Sequence, residues 1–179
     1  FSTLFPYPTS FRSGVSALAE DAEGKLWVGA GAAIQRLDLV APDADWQSFR
    51  KQDGPGGNWA VGIARAPDGR MWFAMMNGEA SSYQNGEWKV YPNVKNYELV
   101  AADSQGRGWF GDTSDGIIVL NPDGSTALTF GKDNGLSTGS IYSLLADGGS
   151  MWVGTTEGLY RYQNGEMAVV FAKGDSALP

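Results

Sequence analysis

The stretch DGGSMWVGTTEGLYRYQNGE, Asp147 to Glu166, sets a turn, a tryptophan, a small residue and a second turn within twenty positions. A tryptophan stands three residues after a glycine at Gly24 and Trp27, Gly69 and Trp72, Gly106 and Trp109, and here at Gly149 and Trp152, besides Gly56 and Trp59 in a glycine-rich run. The separations are 45 (72−27), 37 (109−72) and 43 (152−109), a range in which periodicity signals solenoids, propellers or arrays. The whole chain is therefore built on one repeat.

Around the quoted stretch the strands read off directly. Ile141–Ala146 is a first strand, Ser150–Gly154 a second, Leu159–Tyr162 a third and Met167–Phe171 a fourth. Pairs that supply the positive backbone dihedrals of two-residue hairpins recur at Asp68-Gly69, Asn77-Gly78, Asn85-Gly86, Asp115-Gly116, Asp123-Gly124 and Asn164-Gly165. A repeated four-stranded antiparallel meander of this length is the blade of a β-propeller. The expected fold is all-β: four blades' worth of propeller in a single domain, 1–179, with units near 9–49, 58–91, 96–130 and 139–171. The composition agrees, since 25 glycines and 12% aromatic residues suit short strands joined by tight turns.

Side chains alternate along a strand, so the residue two places after each tryptophan shares its face. Those residues are Gly29, Ala74, Gly111 and Gly154, all small. Trp27, Trp72, Trp109 and Trp152 are accordingly expected as core between adjacent blades, each burying roughly 150 to 250 Å².

VSALAEDAEGKLWVGA (15–30) and IYSLLADGGSMWVGTTEGLYRY (141–162) resemble the two-component regulator propeller repeat, and FGKDNGLSTGSIYSL (130–144) resembles the connection between its repeats. The resemblance covers nearly the whole chain. It implies the periplasmic or extracellular sensor region of a membrane-anchored bacterial hybrid histidine kinase or related regulator, with carbohydrate or another extracellular ligand as the signal. The second unit departs from the pattern, with MWFAMMNGEASSY (71–83) in place of Trp-x-Gly-Thr and an aromatic strand. GRGWFGDTSDGIIVLNPDGSTALTF (106–130) also resembles the streptogramin-type lyases, whose histidine base this chain lacks.

Five segments read as outermost strands for four sets of inner ones: Ser2–Pro8, then 46–52, 87–92, 125–130 and 166–171. The surplus, with Lys173–Pro179 resembling the opening of another connection, argues for part of a larger array. Self-association or contact with adjacent blades is the expected partner, because open strand edges and blade faces are normally covered.

The net charge of −7 and the scattered 13 Lys and Arg give no basic stripe for nucleic acid. No run reaches the roughly 18 apolar residues of a spanning helix. With no histidine and no cysteine, imidazole bases, thiolate nucleophiles and His or Cys metal sites are unavailable. No catalytic residue and no cofactor is assigned. Asp112, Asp115, Asn121 and Asp123 suggest calcium, but these are default turn residues and Ca²⁺ needs about six converging oxygens, so no metal ligand is assigned.

One face of a propeller carries the loops from each outer strand to the next inner strand, and the loops joining the two middle strands. The first set contributes Asn58, Trp59, Asn96, Tyr97, Thr138 and Tyr142; the second contributes Asn77, Glu79, Asp112, Asp115, Thr156 and Glu157. Aromatic rings beside amides suit a sugar, so Asn58, Trp59, Asn96, Tyr97 and Tyr142 are the candidate ligand contacts. Trp59, after the flexible 53–57 run, leads them, while Tyr97 and Tyr142 read more readily as packing residues at strand starts. The readings are a non-catalytic ligand-sensing propeller, an interaction scaffold and, least favoured, a lyase-like enzyme.

Overall fold

The computed structural model describes residues 14–31, 33–40, 46–136 and 140–174. The segments Ser2–Pro8 and 175–179 and the residue Thr138, each given a role above, lie outside these. The described chain forms four four-stranded antiparallel sheets, each in simple chain order. Blade 1 is β1 (Val15–Glu20), β2 (Lys25–Ala30), β3 (Ala33–Asp38) and β4 (Gln47–Phe49). Blade 2 is β5 (Ala60–Arg65), β6 (Met71–Met75), β7 (Glu79–Gln84) and β8 (Glu87–Lys95). Blade 3 is β9 (Leu99–Ala102), β10 (Gly108–Gly111), β11 (Ile117–Leu120) and β12 (Thr126–Phe130), and blade 4 is β13 (Ile141–Asp147), β14 (Ser150–Thr155), β15 (Gly158–Gln163) and β16 (Glu166–Ala172). This is the expected propeller architecture, with four blades.

The turns are of three kinds, Asn77-Gly78 having positive φ at the asparagine alone. Asn85-Gly86 and Asn164-Gly165 have positive φ at both residues, as a two-residue hairpin requires. At Asp68-Gly69, Asp115-Gly116 and Asp123-Gly124 only the glycine is positive, so the expectation of one turn type throughout is corrected. The aspartates act otherwise: the Asp68 and Asp123 carboxylates accept the N–H groups of Arg70 and Ser125, two residues on.

Each seam closes around a tryptophan. Trp27, Trp72 and Trp109 are fully buried. Trp27 stacks on Phe49 of its own outer strand and meets Phe73, Tyr83 and Trp88 of blade 2. Trp72 packs with Tyr91 of its own blade and Phe110 of blade 3, and Trp109 with its own Phe130 and Tyr162 of blade 4. The small residues two places on make this approach possible: a Cβ on Gly29 would strike the backbone of Ala60 in blade 2, and one on Gly111 would crowd Ile141 in blade 4.

A buried indole N–H needs an acceptor, and the Asp-x-x-Gly turn provides one. The buried Asp21 carboxylate accepts from the Glu23 and Lys25 amides, from Trp27 Nε1 at 2.8 Å and from Arg36. Asp103 repeats this with Gln105, Arg107 and Trp109 Nε1 at 2.7 Å. Burial works against ionisation of Asp21, yet the hydrogen bonds from Lys25, Trp27 and Arg36 prevail and hold its carboxyl below the ordinary value.

Trp152 differs from expectation. It is only half-buried, because its face of blade 4 is covered by no following blade among the described residues. The inner strands pack in the order β1, β5, β9, β13, and no comparable contact joins β13 to β1. The four blades form an open arc, leaving Leu18 60% exposed at one end and Leu145 63% exposed at the other.

Denaturant melts should show Trp109→Ala losing about 3 to 5 kcal/mol and Trp152→Ala less than half of that. Asp21→Ala should lose about 3 kcal/mol, since it orphans an indole and leaves the Arg36 guanidinium only the exposed Glu23, against below about 1 for the exposed Asp68→Ala. The Asp21 contribution is complete above the ordinary carboxyl value of 3.8 and is lost as pH falls through the lower folded value. The acid limb of the stability profile should therefore be flatter in Asp21→Ala than in the parent.

Candidate functional site

The face expected to carry function gathers the connections β4–β5, β8–β9 and β12–β13 with the middle-strand loops. The first connection holds a short 3₁₀ turn, Lys51–Asp53, and then Pro55, Gly56 and Gly57, which are buried. The run expected to be a flexible loop is thus packed, and Ser81 Oγ accepts the Gly56 amide at 2.8 Å. The unusual serine of β7 serves this anchorage.

Asn58 is exposed, with its side-chain carbonyl accepting the Lys51 amide at 2.6 Å, so it closes its own connection. Trp59 is 39% exposed, and its Nε1 donates to Ser16 Oγ at 3.1 Å. The carbonyls of Gly29 and Ala60 share the single Ser16 hydroxyl hydrogen, so one hydroxyl ties blade 1, blade 2 and the Trp59 ring together. Asn96 has φ of 62°, a conformation asparagine tolerates better than most residues, and its amide donates to Gly78 O. Backbone geometry accounts for that asparagine.

Tyr97 is half-buried against the seam between blades 2 and 3. Burial, then the negative charges of Asp112 and Asp115, push its phenol up to about 12. Tyr142 is 62% exposed and sits at a bulge in β13, between the register positions of Ile141 and Ser143. The same bulge occurs at Ser16 in β1 and Val61 in β5. The five candidates thus start three different inner strands, and no hydrogen bond or ring contact joins Trp59, Tyr97 and Tyr142 among the described residues.

The carboxylates do not converge. Asp112 and Asp115 precede β11, and Asp123 follows it, at the opposite end of the blade. Asp112 is buried and spends one oxygen on the amides of Ser114 and Asp115. Among the described residues no group of three acidic side chains is placed to hold a metal ion.

Between the Asp112–Gly116 loop and the connection into blade 4 lies a cavity of about 380 Å³, lined by Thr113, Ser114, Asp115, Lys132, Ser140 and Thr156 among others. Ser140 Oγ donates to Thr113 O, and Thr156 Oγ1 accepts the Ser140 amide, which pins the two walls together. The Lys132 ammonium and the Asp115 carboxylate form no ion pair among the described residues. Of these residues, sequence reasoning had marked Asp115 and Thr156 but missed Thr113, Ser114, Lys132 and Ser140. The signal was the length of the Gly131–Ser140 connection against the short one at Asn96–Glu98.

The Tyr97 shift sets an alkaline limit. Because the folded phenol holds its proton more tightly than the unfolded one, its contribution is complete below pH 10 and lost as pH rises towards 12. Tyr97→Phe should remove the last tyrosine to ionise in an ultraviolet titration and flatten the stability profile above pH 10.

No family model matches the sequence, and no curated protein matches it. Solved structures match the fold. The extracellular domain of a one component system, BT4673 from B. thetaiotaomicron, aligns at a TM-score of 0.67 and 20% identity, covering 89% of this chain and 25% of that one. That of a hybrid two component system, BT3049 from the same organism, aligns at 0.69 and 15%, with the same coverage. A virginiamycin B lyase from Staphylococcus aureus, solved with quinupristin as a variant inactivated by replacing a histidine with alanine, aligns at 0.68 and 14%, over 92% of this chain and 56% of the lyase. The chain thus spans about a quarter of the two extracellular domains and little over half of the lyase.

Proposed function

We propose that this chain is a non-catalytic, ligand-sensing propeller segment of an extracytoplasmic bacterial signal-transduction protein, binding a polyhydroxylated ligand such as an oligosaccharide. The observation that carries the reading is the cavity between blades 3 and 4. Its walls offer hydroxyls from Thr113, Ser114 and Thr156 together with one carboxylate and one ammonium, and carry no histidine or cysteine. Such a lining hydrogen-bonds the hydroxyl groups of a neutral ligand, and Leu136 and Ile141 add apolar surface for its C–H groups. Trp59 and Tyr142, exposed on the same end of the inner strands, present ring surface for the C–H face of a sugar.

The likeness to the two extracellular domains supports the sensing role, and the missing histidine counts against a reaction of the lyase kind. The resemblance of the repeat to periplasmic sensor propellers supports the compartment.

A thermal-shift panel of neutral and basic oligosaccharides should identify a ligand that raises the melting temperature. Binding should weaken at least about tenfold in Asp115→Ala or Lys132→Ala, and to a smaller extent in Trp59→Ala, with the unliganded melting temperature unchanged in the first two. Retained affinity in both Asp115→Ala and Lys132→Ala would move the site away from this cavity.

A further inference from the structure

The inner strands carry a row of equivalent positions near their starts. Opposite Gly29, Ala74, Gly111 and Gly154, the small residues two places after each tryptophan, stand Ala17, Gly62, Leu99 and Ser143. The residue before each of these is Ser16, Val61, Glu98 or Tyr142. Three of the four sit in the bulges of β1, β5 and β13, and Glu98 donates its amide to Gly111 O just before β9. Since the inner strands pack in the order β1, β5, β9, β13, the four residues follow one another across the arc.

The row sets an aromatic ring on either side of a carboxylate. Tyr142 of blade 4 is 62% exposed. Val61 of blade 2 is half-buried, but the Trp59 ring reaches the row, because its Nε1 donates to Ser16 Oγ at 3.1 Å. That bond occupies the one polar atom of the indole and leaves its faces for a ligand to meet. Glu98 of blade 3 is exposed, and its carboxylate makes no hydrogen bond or ion pair among the described residues. Asp21, Asp103 and Asp112 each hold a turn together; Glu98 holds none. No lysine or arginine shares the row, and the whole chain carries a net charge of −7.

A ligand lying across the two rings covers Glu98. A hydroxyl placed there donates to the carboxylate, but a protonated amine does so with a full charge, in a bond roughly twice as strong. The exposed ring faces attract a cation as well. A neutral N-acetyl group has neither advantage.

We propose that this row selects a protonated amine on the sugar, so that the ligand of the propeller is a glycan bearing free amino groups, such as oligomeric glucosamine. The inference rests on the carbohydrate reading above. Glu98 accepts from the ammonium, and Trp59 and Tyr142 take the C–H faces of the flanking sugar rings. The cavity between blades 3 and 4 offers one carboxylate and one ammonium, Asp115 and Lys132, and binds hydroxyl groups of the same ligand without choosing between amine and hydroxyl.

Calorimetric titration compares three β-1,4-linked tetramers, of glucosamine, N-acetylglucosamine and glucose, at about pH 6, where free amines are protonated. The glucosamine tetramer should bind about fivefold more tightly than the other two, by a margin that shrinks as salt is added. Glu98→Gln should remove the margin and leave the melting temperature of the unliganded chain unchanged. Trp59→Ala should weaken all three, and Asp115→Asn should weaken all three while keeping the margin. Equal binding of amine and neutral tetramers overturns the proposal and leaves the carbohydrate reading standing. A margin that survives Glu98→Gln overturns it too, as does one that vanishes in Asp115→Asn, which would put the amine in the cavity. If none of the three binds, the proposal falls; a ligand from the thermal-shift panel then keeps the carbohydrate reading, and an empty panel removes that as well.

Discussion

The structure depends on one interaction: the second-strand tryptophan of each covered seam gives its N–H to an acceptor that the surrounding apolar rings cannot supply, whereas the buried Nε1 of Trp88 in the first seam has no partner among the described residues. An orphaned buried donor costs about 1 to 3 kcal/mol, and a propeller repeats the cost at every seam. Blades 1 and 3 answer it with a carboxylate, and blade 2 with a carbonyl borrowed from its neighbour. The carboxylate solution has a further effect. Since Asp21 also binds two amides of its own turn, fixing the turn fixes the tryptophan, and fixing the tryptophan fixes the next blade. The borrowed solution links the blades directly instead.

Each tryptophan also carries one guanidinium, within 5.1 to 5.9 Å of its ring. In blades 2 and 3 it comes from the residue two places before the tryptophan, Arg70 and Arg107; in blades 1 and 4 it comes across the strand pair, from Arg36 and Arg161. Where one position holds arginine the other does not. The planar cation lies over the indole ring while keeping its own donors in reach of Asp21, Ser82, Asp103 or Ser150. This conserves the local chemistry of a seam although the sequence at either position varies between units.

The blade count and strand pattern were legible because periodicity of tryptophan and turn residues reports backbone geometry directly. The half-burial of Trp152 was not, since a repeat pattern says what a face is built to do and nothing of whether a neighbour covers it. Asn58 and Asn96 looked like ligand amides from composition alone, yet one closes a connection and the other sits at a positive φ, roles that depend on conformation rather than residue type. The cavity wall was hidden for a different reason. Thr113, Lys132 and Ser140 come together only through the packing of one blade's loop on the next blade's entry, a juxtaposition of residues up to 27 apart that no local pattern encodes.

The two ends of the blades are therefore under different demands. At the end carrying the β1–β2 and β9–β10 turns, Asp21 and Asp103 are occupied by amides, indoles and guanidiniums, so substitution there disturbs the seams. At the other end the connections are anchored by a few hydrogen bonds, from Ser81, Asn58 and Ser140, and the side chains between those anchors are released from structural duty. Asp115 and Lys132 are charged groups of this kind, held on a pinned loop beside a cavity. A repeat fold that concentrates its obligations at one end leaves the other end free to acquire chemistry.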